Sequence, residues 1–266
     1  MLKSNQGETG AKRLAVMQPY FLPYLGYWQL MASVDEFMLY PLVDYSRKSY
    51  VLRNQWVEDG RSVWFQLPVS KAPLKSRIID LEWAEMERWR RIWFKSCKTQ
   101  YGKSPYFNET LELLESFAWS DTVSVSEFLE DSIVKTAQFI GLSTAVSCAN
   151  TETFFRLEKD VRGITDDYDR RHNRVERIAQ LVGASEYVNA TSGRHLYDSE
   201  KLMEAGVRLG FIDSEWQHSI TLAAEPFSKA SLLHLLMKYG RDQVRQWVDP
   251  KSEIMTIDWR TNICHR

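Results

Sequence analysis

The stretch from Leu14 to Leu30 limits this chain more than any other. Leu14-Ala15-Val16-Met17, entered from Arg13, is a short apolar run that stops at Gln18-Pro19. Proline has no amide proton and a fixed φ, so a buried strand ends there. An aromatic segment follows at once: Tyr20-Phe21-Leu22-Pro23-Tyr24-Leu25-Gly26-Tyr27-Trp28-Gln29-Leu30. Strand, tight loop and helix start form the opening of a βα unit. Pro19 and Pro23 hold the loop in a pre-formed shape, and Gly26 allows a close approach of backbone or ligand. Tyr20, Tyr24 and Tyr27 can stack on a base or sugar and also hydrogen-bond to it. The same rings serve equally as core, with proline and glycine as turn punctuation.

Further apolar runs repeat the pattern. Phe37–Tyr40 stops at Pro41 and Val63–Leu67 at Pro68, followed by Ser143–Cys148, Glu186–Asn189 and Val207–Ile212. They are continuous rather than alternating, as expected of strands covered on both faces. Helical spacing lies between them at Trp83–Gln100, Val125–Ile140, Asp169–Leu181, Ser199–Ala205 and Ser231–Tyr239, each closed by a glycine one to two residues on. This alternation predicts an α/β fold with a doubly wound, mainly parallel sheet. Residues 13–266 read as one domain with a helical portion at about 83–140, behind a polar, disordered segment at 1–12.

Charge narrows the function. With 34 Lys and Arg against 35 Asp and Glu, the chain lacks the basic excess that a nucleic-acid backbone requires. No apolar stretch suits a signal peptide or membrane span, so a cytoplasmic protein is expected. Cys97, Cys148 and Cys264 are far apart and form no CxxC, which argues against disulfides and thiolate zinc. His172, His195, His218, His234 and His265 are dispersed without ligand spacing, so no metal site is expected. Ten tryptophans imply rings lining a core or a ligand cleft.

Candidate site residues cluster after predicted strands, where ligands sit in doubly wound sheets. Gln18, Pro19, Tyr20, Tyr24, Gly26 and Tyr27 form the first group. Asp44, Tyr45, Arg47, Lys48, Arg53 and Asn54 form a second; Arg53 offers a bidentate fork for a diphosphate or carboxylate, and a solvated loop is the alternative. In Asp166–Arg174 the acids suit a helix start, leaving Asn173 and Arg174 as substrate contacts. Asn189, Gly193 and Tyr197 belong to a hydroxyl- and glycine-bearing turn able to face an anion, without P-loop spacing. Asp44 and His195 are the candidate catalytic groups, His195 as general base. Trp216-Gln217-His218, after the last predicted strand, can shape the same cleft or simply pack.

Met17-Gln18-Pro19-Tyr20-Phe21-Leu22-Pro23-Tyr24-Leu25-Gly26-Tyr27-Trp28-Gln29-Leu30 resembles the opening signature of the WbqC-like proteins, in which MQPYF-PY-GY-QL precedes an aspartate-bearing strand. Val34–Phe37, Val43-Asp44-Tyr45, Lys103–Phe107, Asn173–Gly183, Tyr187–Asn189, Gly193–Tyr197 and Ser231–Gly240 extend the resemblance over nearly the whole chain. The chain departs from the family at Pro41-Leu42, where acidic residues are usual, and at His234, where an aspartate is frequent. The resemblance implies a role in bacterial surface-polysaccharide synthesis, such as O-antigen. The implied activity is transfer of an acyl or aminoacyl group to a nucleotide-linked amino sugar. It names no cofactor, and an oligomer is compatible with it. The alternatives are a nucleotidyl- or adenylate-forming enzyme of the same fold and a non-catalytic carbohydrate-binding protein. Pro23-Tyr24-Leu25-Gly26-Tyr27 is also laid out like the Pro-x-His-x-Gly-His turn of nucleotidyltransferases and pantothenate synthetase-like ligases, and Ser228-Lys229-Ala230-Ser231 is similar to their lysine loop. This second resemblance implies a Rossmann-like, nucleotidyltransferase-like topology. Tyrosine stands at both histidine positions, and a neutral phenol cannot neutralise a triphosphate.

Overall fold

The computed structural model describes residues 11–58, 61–119, 121–212 and 230–249, with the backbone of two strands at 255–258 and 263–265. The first strand, β1 (Arg13–Met17), leads through the aromatic loop into α1 (Leu25–Ala32) and back to β2 (Glu36–Leu39). A separate antiparallel hairpin follows, β3 (Arg53–Glu58) and β4 (Arg61–Gln66), then α2 (Met86–Tyr101), α3 (Phe107–Ala118) and α4 (Val125–Phe139). Strand β5 (Ala145–Cys148) is followed by α5 (Glu152–Arg162), α6 (Asp167–Val182), β6 (Glu186–Ala190), a 3₁₀ turn at Thr191–Leu196, α7 (Ser199–Glu204) and β7 (Arg208–Ile212). The described part closes with α8 (Leu232–Val248), β8 (Met255–Asp258) and β9 (Ile263–His265).

The main sheet runs β5-β2-β1-β6-β7-β8-β9. Its first five strands are parallel, with Leu14 opposite Glu36 and Tyr187 opposite Leu209. The chain winds outward from β1 in one direction, then returns to lay β6 on the other side of it. This is the α/β order in which the connections reverse beside the first strand and a crevice opens at the carboxyl ends. Strand pleating sends neighbouring residues to opposite faces. Ala15, Phe37, Leu39 and Val188 pack with α1, α4 and α8, while Leu14, Met38, Tyr187 and Leu209 pack with α5, α6 and α7. Both faces are covered, which is why the strand sequences are continuously apolar.

The aromatic loop is tied into this frame at its backbone. Leu22 sits at φ 45°, a left-handed conformation that costs a Cβ-bearing residue and persists only where its surroundings fix it. Its carbonyl accepts hydrogen bonds from two buried groups, Asn54 Nδ2 and Ser231 Oγ. The Pro23 carbonyl accepts from Trp28 Nε1 at 3.1 Å and from the Leu232 amide at 3.0 Å, and Phe21 N donates to Val51 O at 3.1 Å. The loop thereby joins β1 to the hairpin and to the start of α8. Gly183 ends α6 with φ 68°, the left-handed cap that glycine adopts without strain.

One expectation needs correction. Val63–Leu67 is not a strand of the parallel sheet; most of it lies in β4, paired with β3. The sequence Arg53-Asn54-Gln55-Trp56-Val57-Glu58 reads as a polar segment, because two apolar residues, Trp56 and Val57, are too few to make an apolar run. The sheet also carries an antiparallel edge, β8 and β9, that no apolar run announced. Residues 1–10 of the expected polar segment lie outside the described residues. Lys12 is anchored, its Nζ 2.8 Å from both Glu36 and the Val182 carbonyl.

Candidate functional site

A cavity of about 520 Å³ opens where β1 and β2 end, against α5 and α6. Val16, Met17 and Gln18 form its floor from the end of β1. Tyr40, Val43 and Asp44 enter from the segment after β2, and Tyr197 from the turn after β6. Helices α5 and α6 contribute Glu158, Arg162, Asp167, Arg170, Arg171 and Arg174. With Lys75, five cations face three carboxylates, so the cavity carries an excess of positive charge.

Glu158 organises these cations. It is 2% exposed, and a buried carboxylate is tolerable only when its lone pairs are taken. Arg174 donates Nε to Oε2 at 2.8 Å and Nη2 to Oε1 at 2.9 Å, a bidentate fork. Tyr40 OH donates to Oε2 at 2.8 Å, and Arg162 Nε lies 3.2 Å from Oε1. Arg162 reaches outward as well, donating Nη2 to Asp44 Oδ1 at 2.6 Å and to Leu42 O at 3.0 Å. The positions are set by helical spacing: Glu158 and Arg162 are i,i+4 on α5, and Arg170, Arg171 and Arg174 share one face of α6. Burial works against the Arg174 charge, but the Glu158 hydrogen bonds and charge outweigh it and hold its pKa above the ordinary value. Burial, then the charge of Glu158, pushes the Tyr40 phenol upward, so it stays a proton donor to Glu158. Arg170 and Arg171 both pair with Asp167 at the outer rim. Fixed guanidinium groups without a matching number of carboxylates bind anions, and phosphate suits their planar forks.

The candidate residues fall into three groups. Gln18, Asp44, Arg174 and Tyr197 line the cavity. Pro19, Tyr20, Gly26, Tyr27 and Asn54 are buried in the frame, with Tyr27 OH donating to Gln18 O at 3.3 Å and Asn54 Nδ2 to Phe21 O at 3.1 Å. Tyr24 is half-buried and bridges to Ser231. The remainder lie around the rim or away from it. Tyr45 bonds through its amide to Ser76 O, and the Arg53 guanidinium lies 4.6 Å over Trp64. Asn173 Nδ2 donates to Asp169 O within α6, and Asp166 caps that helix through the Asp169 amide. Asn189 is buried against Tyr187 OH, and a Cβ at Gly193 would meet its amide at 3.0 Å. His195 is exposed and does not line the cavity. His234 is buried, its Nδ1 2.9 Å from Tyr101 OH. Trp216-Gln217-His218 and Ser228-Lys229 lie outside the described residues. Sequence reading missed Tyr40, Lys75, Glu158 and Arg162. The available signal was the Glu-x-x-x-Arg pair on α5 facing an arginine-rich helix.

Among the described residues no cluster of three or more His, Cys, Asp or Glu side chains could hold a metal ion. Burial pushes the Cys97 thiol up to about 12 and raises that of Cys148, so neither is a ready thiolate.

His172, on α6 behind the arginines, is buried with no hydrogen bond to either ring nitrogen among the described residues; Nε2 lies 3.8 Å from Glu176. Burial lowers its pKa from 6.5, and Lys201 adds to this, while Glu176, Asp198 and Asp169 oppose it. The unfolded chain therefore takes up this proton first as pH falls. Stability is held above about pH 6.5 and declines below it until the folded form also protonates. Urea midpoints measured from about pH 7.5 to about pH 5.5 should fall more steeply for the native protein than for His172→Gln. Equal slopes would contradict this assignment.

A family model described as the WbqC-like protein family matches residues 18–246. The chain is similar to the uncharacterized protein Rv1507c of Mycobacterium tuberculosis (strain ATCC 25618 / H37Rv). The two are 24% identical over 242 residues, 87% of this chain and 95% of that protein. No solved structure matches the chain.

Proposed function

Because the chain belongs to the WbqC-like protein family, we propose that it is a transferase of bacterial surface-polysaccharide biosynthesis. Its substrate in this reading is a nucleotide-linked amino sugar, which receives an acyl or aminoacyl group. The observation that carries the proposal is the arginine cavity at the strand ends, where Arg162 and Arg174 are held by one buried carboxylate. A diphosphate-linked sugar matches that charge: its two phosphates meet Lys75 and the guanidinium N–H groups not already donated to Glu158, Asp44 and Leu42, and its sugar lies toward Gln18 and Tyr197. In the transfer step the sugar amine attacks the acyl carbonyl carbon and forms the new N–C bond. The bond from that carbon to the donor's leaving group breaks, and the amine proton passes to a base. We assign Asp44 as that base, since its carboxylate is on the cavity wall and half exposed. His195, which does not line the cavity, is given no part in the step.

The test is a calorimetric and thermal-shift series with nucleotide diphosphate sugars. Binding is expected to raise the midpoint with ligand concentration. Lys75→Met and Arg171→Met, both on the outer wall, should each weaken it about tenfold, as expected for one charge-assisted contact. If no nucleotide sugar binds, the proposal fails. Pyrophosphate release from ATP or CTP would favour the nucleotidyl-transfer reading instead.

A further inference from the structure

Three side chains in and beyond β6 form a hydrogen-bond chain of fixed direction. Asn189 Oδ1 accepts from the Ala190 amide at 2.7 Å, which settles the orientation of the carboxamide. Its Nδ2 then donates to Tyr187 OH at 3.3 Å. Gly193 closes over the same group: a Cβ there would meet Nδ2 at 3.0 Å, so the 3₁₀ turn holds the carboxamide in place. Tyr187 is 1% exposed, and a buried hydroxyl that gives its proton to nothing bears the desolvation cost of an unmade bond. That proton therefore goes to Tyr197 OH at 3.2 Å, its other hydrogen-bond partner among the described residues.

The chain ends at Tyr197, which lines the arginine cavity. Its oxygen accepts from Tyr187, and a phenol has one proton to give. Among the described residues no acceptor takes that proton. Arg171 and Arg174, which also line the cavity, lie close enough for their charges to act on this phenol, and guanidinium groups only donate. Burial raises the phenol above its usual range against the pull of the Tyr187 hydrogen bond and those charges, so it keeps its proton. We propose that Tyr197 reads the sugar of a bound nucleotide sugar by donating this proton to one of its oxygens, with Tyr187 and Asn189 as positioning residues. This rests on the nucleotide-sugar reading of the cavity given above. The sugar must offer a lone pair here, from a hydroxyl or an N-acyl carbonyl. An ammonium has donors only and would face both the Tyr197 proton and two guanidinium charges. The amine that receives the acyl group therefore lies elsewhere on the ring. A site built to hydrogen-bond one group rejects the analogue that lacks it, because its own buried donors are left unpaired.

The test is calorimetry on the full chain. UDP-N-acetylglucosamine, UDP-glucose, dTDP-glucose and GDP-mannose are each compared with UDP, dTDP or GDP alone. At least one conjugate is expected to bind more tightly than its nucleoside diphosphate. Tyr197→Phe, which keeps the ring, should weaken that conjugate about fivefold and leave the nucleoside diphosphate unchanged. Tyr187→Phe should cost about twofold in the same ratio, and nothing further when added to Tyr197→Phe. A merely structural role would move both ligands together, and urea midpoints report whether each variant folds. If Tyr197→Phe weakens conjugate and diphosphate alike, or neither, the role of Tyr197 is overturned while the anion site stands. Losses that add in the double variant overturn the positioning by Tyr187. If no conjugate and no diphosphate binds, the nucleotide-sugar reading itself fails, and the role of Tyr197 falls with it.

Discussion

Glu158→Ala is expected to lower the unfolding free energy by about 3–5 kcal/mol, the cost of breaking a buried ionic group from one side. The carboxylate takes two hydrogen bonds from Arg174 and one from Tyr40, with Arg162 at ion-pair distance. Alanine removes all of them and leaves Arg174, whose side chain is 13% exposed, without its counter-charge. Glu158→Gln keeps the shape but turns an amide donor toward other donors, so it should recover only part of the loss. The informative comparison is Glu158→Leu combined with Arg174→Met and Tyr40→Phe. Buried ionic groups replaced together by apolar ones of similar volume are often neutral or stabilising. The triple variant should therefore approach native stability in urea while losing affinity for nucleotide sugars. An unchanged urea midpoint in Glu158→Ala would show that the network contributes nothing to the fold. Retained affinity in the stable triple variant would remove the arginine cavity from the binding site.

Phe21→Ala is expected to cost about 3–5 kcal/mol for a different reason, the loss of a buried ring plus the cavity left behind. Phe21 is fully buried and meets Phe65 at 5.8 Å, Trp89 at 5.9 Å, Trp93 at 5.4 Å, Phe117 at 6.3 Å and Phe128 at 5.5 Å. Those partners come from the hairpin and from α2, α3 and α4, so one loop residue holds the helical middle of the chain to β1. Five rings around one site collapse poorly into a void, which places the cost at the upper end for a core truncation. Phe21→Leu, which keeps most of the volume, should cost roughly 1–1.5 kcal/mol. Chemical denaturation of the two variants separates volume from mere apolarity. A loss below about 1 kcal/mol for alanine would mean the loop is not the joint described here.

The parallel strands and most of their helices were readable because each is a local pattern. Apolar runs stopped by Pro19 and Pro41, and helices closed by Gly141 and Gly183, report backbone constraints that act within a few residues. The hairpin was not readable in the same way: β3 has only Trp56 and Val57 as apolar residues, and its partner run resembles a buried strand until β3 is seen beside it. No such run marked β8 and β9 either. The site divides along the same line. Gln18, Asp44, Arg174 and Tyr197 follow predicted strands or stand on a visibly arginine-rich helix, and all four reach the cavity.

The aromatic loop carries the plainest lesson. Its order of Pro, Tyr and Gly was enough to place a strand, a turn and a helix start, and to mark the family. Whether Tyr20 and Tyr27 face a ligand or the core depends on what packs against them, and burial is a property of the whole fold. Only the folded chain brings Asn54 and Ser231 to the strained Leu22 carbonyl across 32 and 209 residues of sequence. Only the folded chain sets Tyr40 against Glu158, 118 residues away. Local sterics and hydrophobic periodicity act along the chain and leave their mark in it. Charge pairing and desolvation act through space, and the tertiary structure alone decides which charges meet.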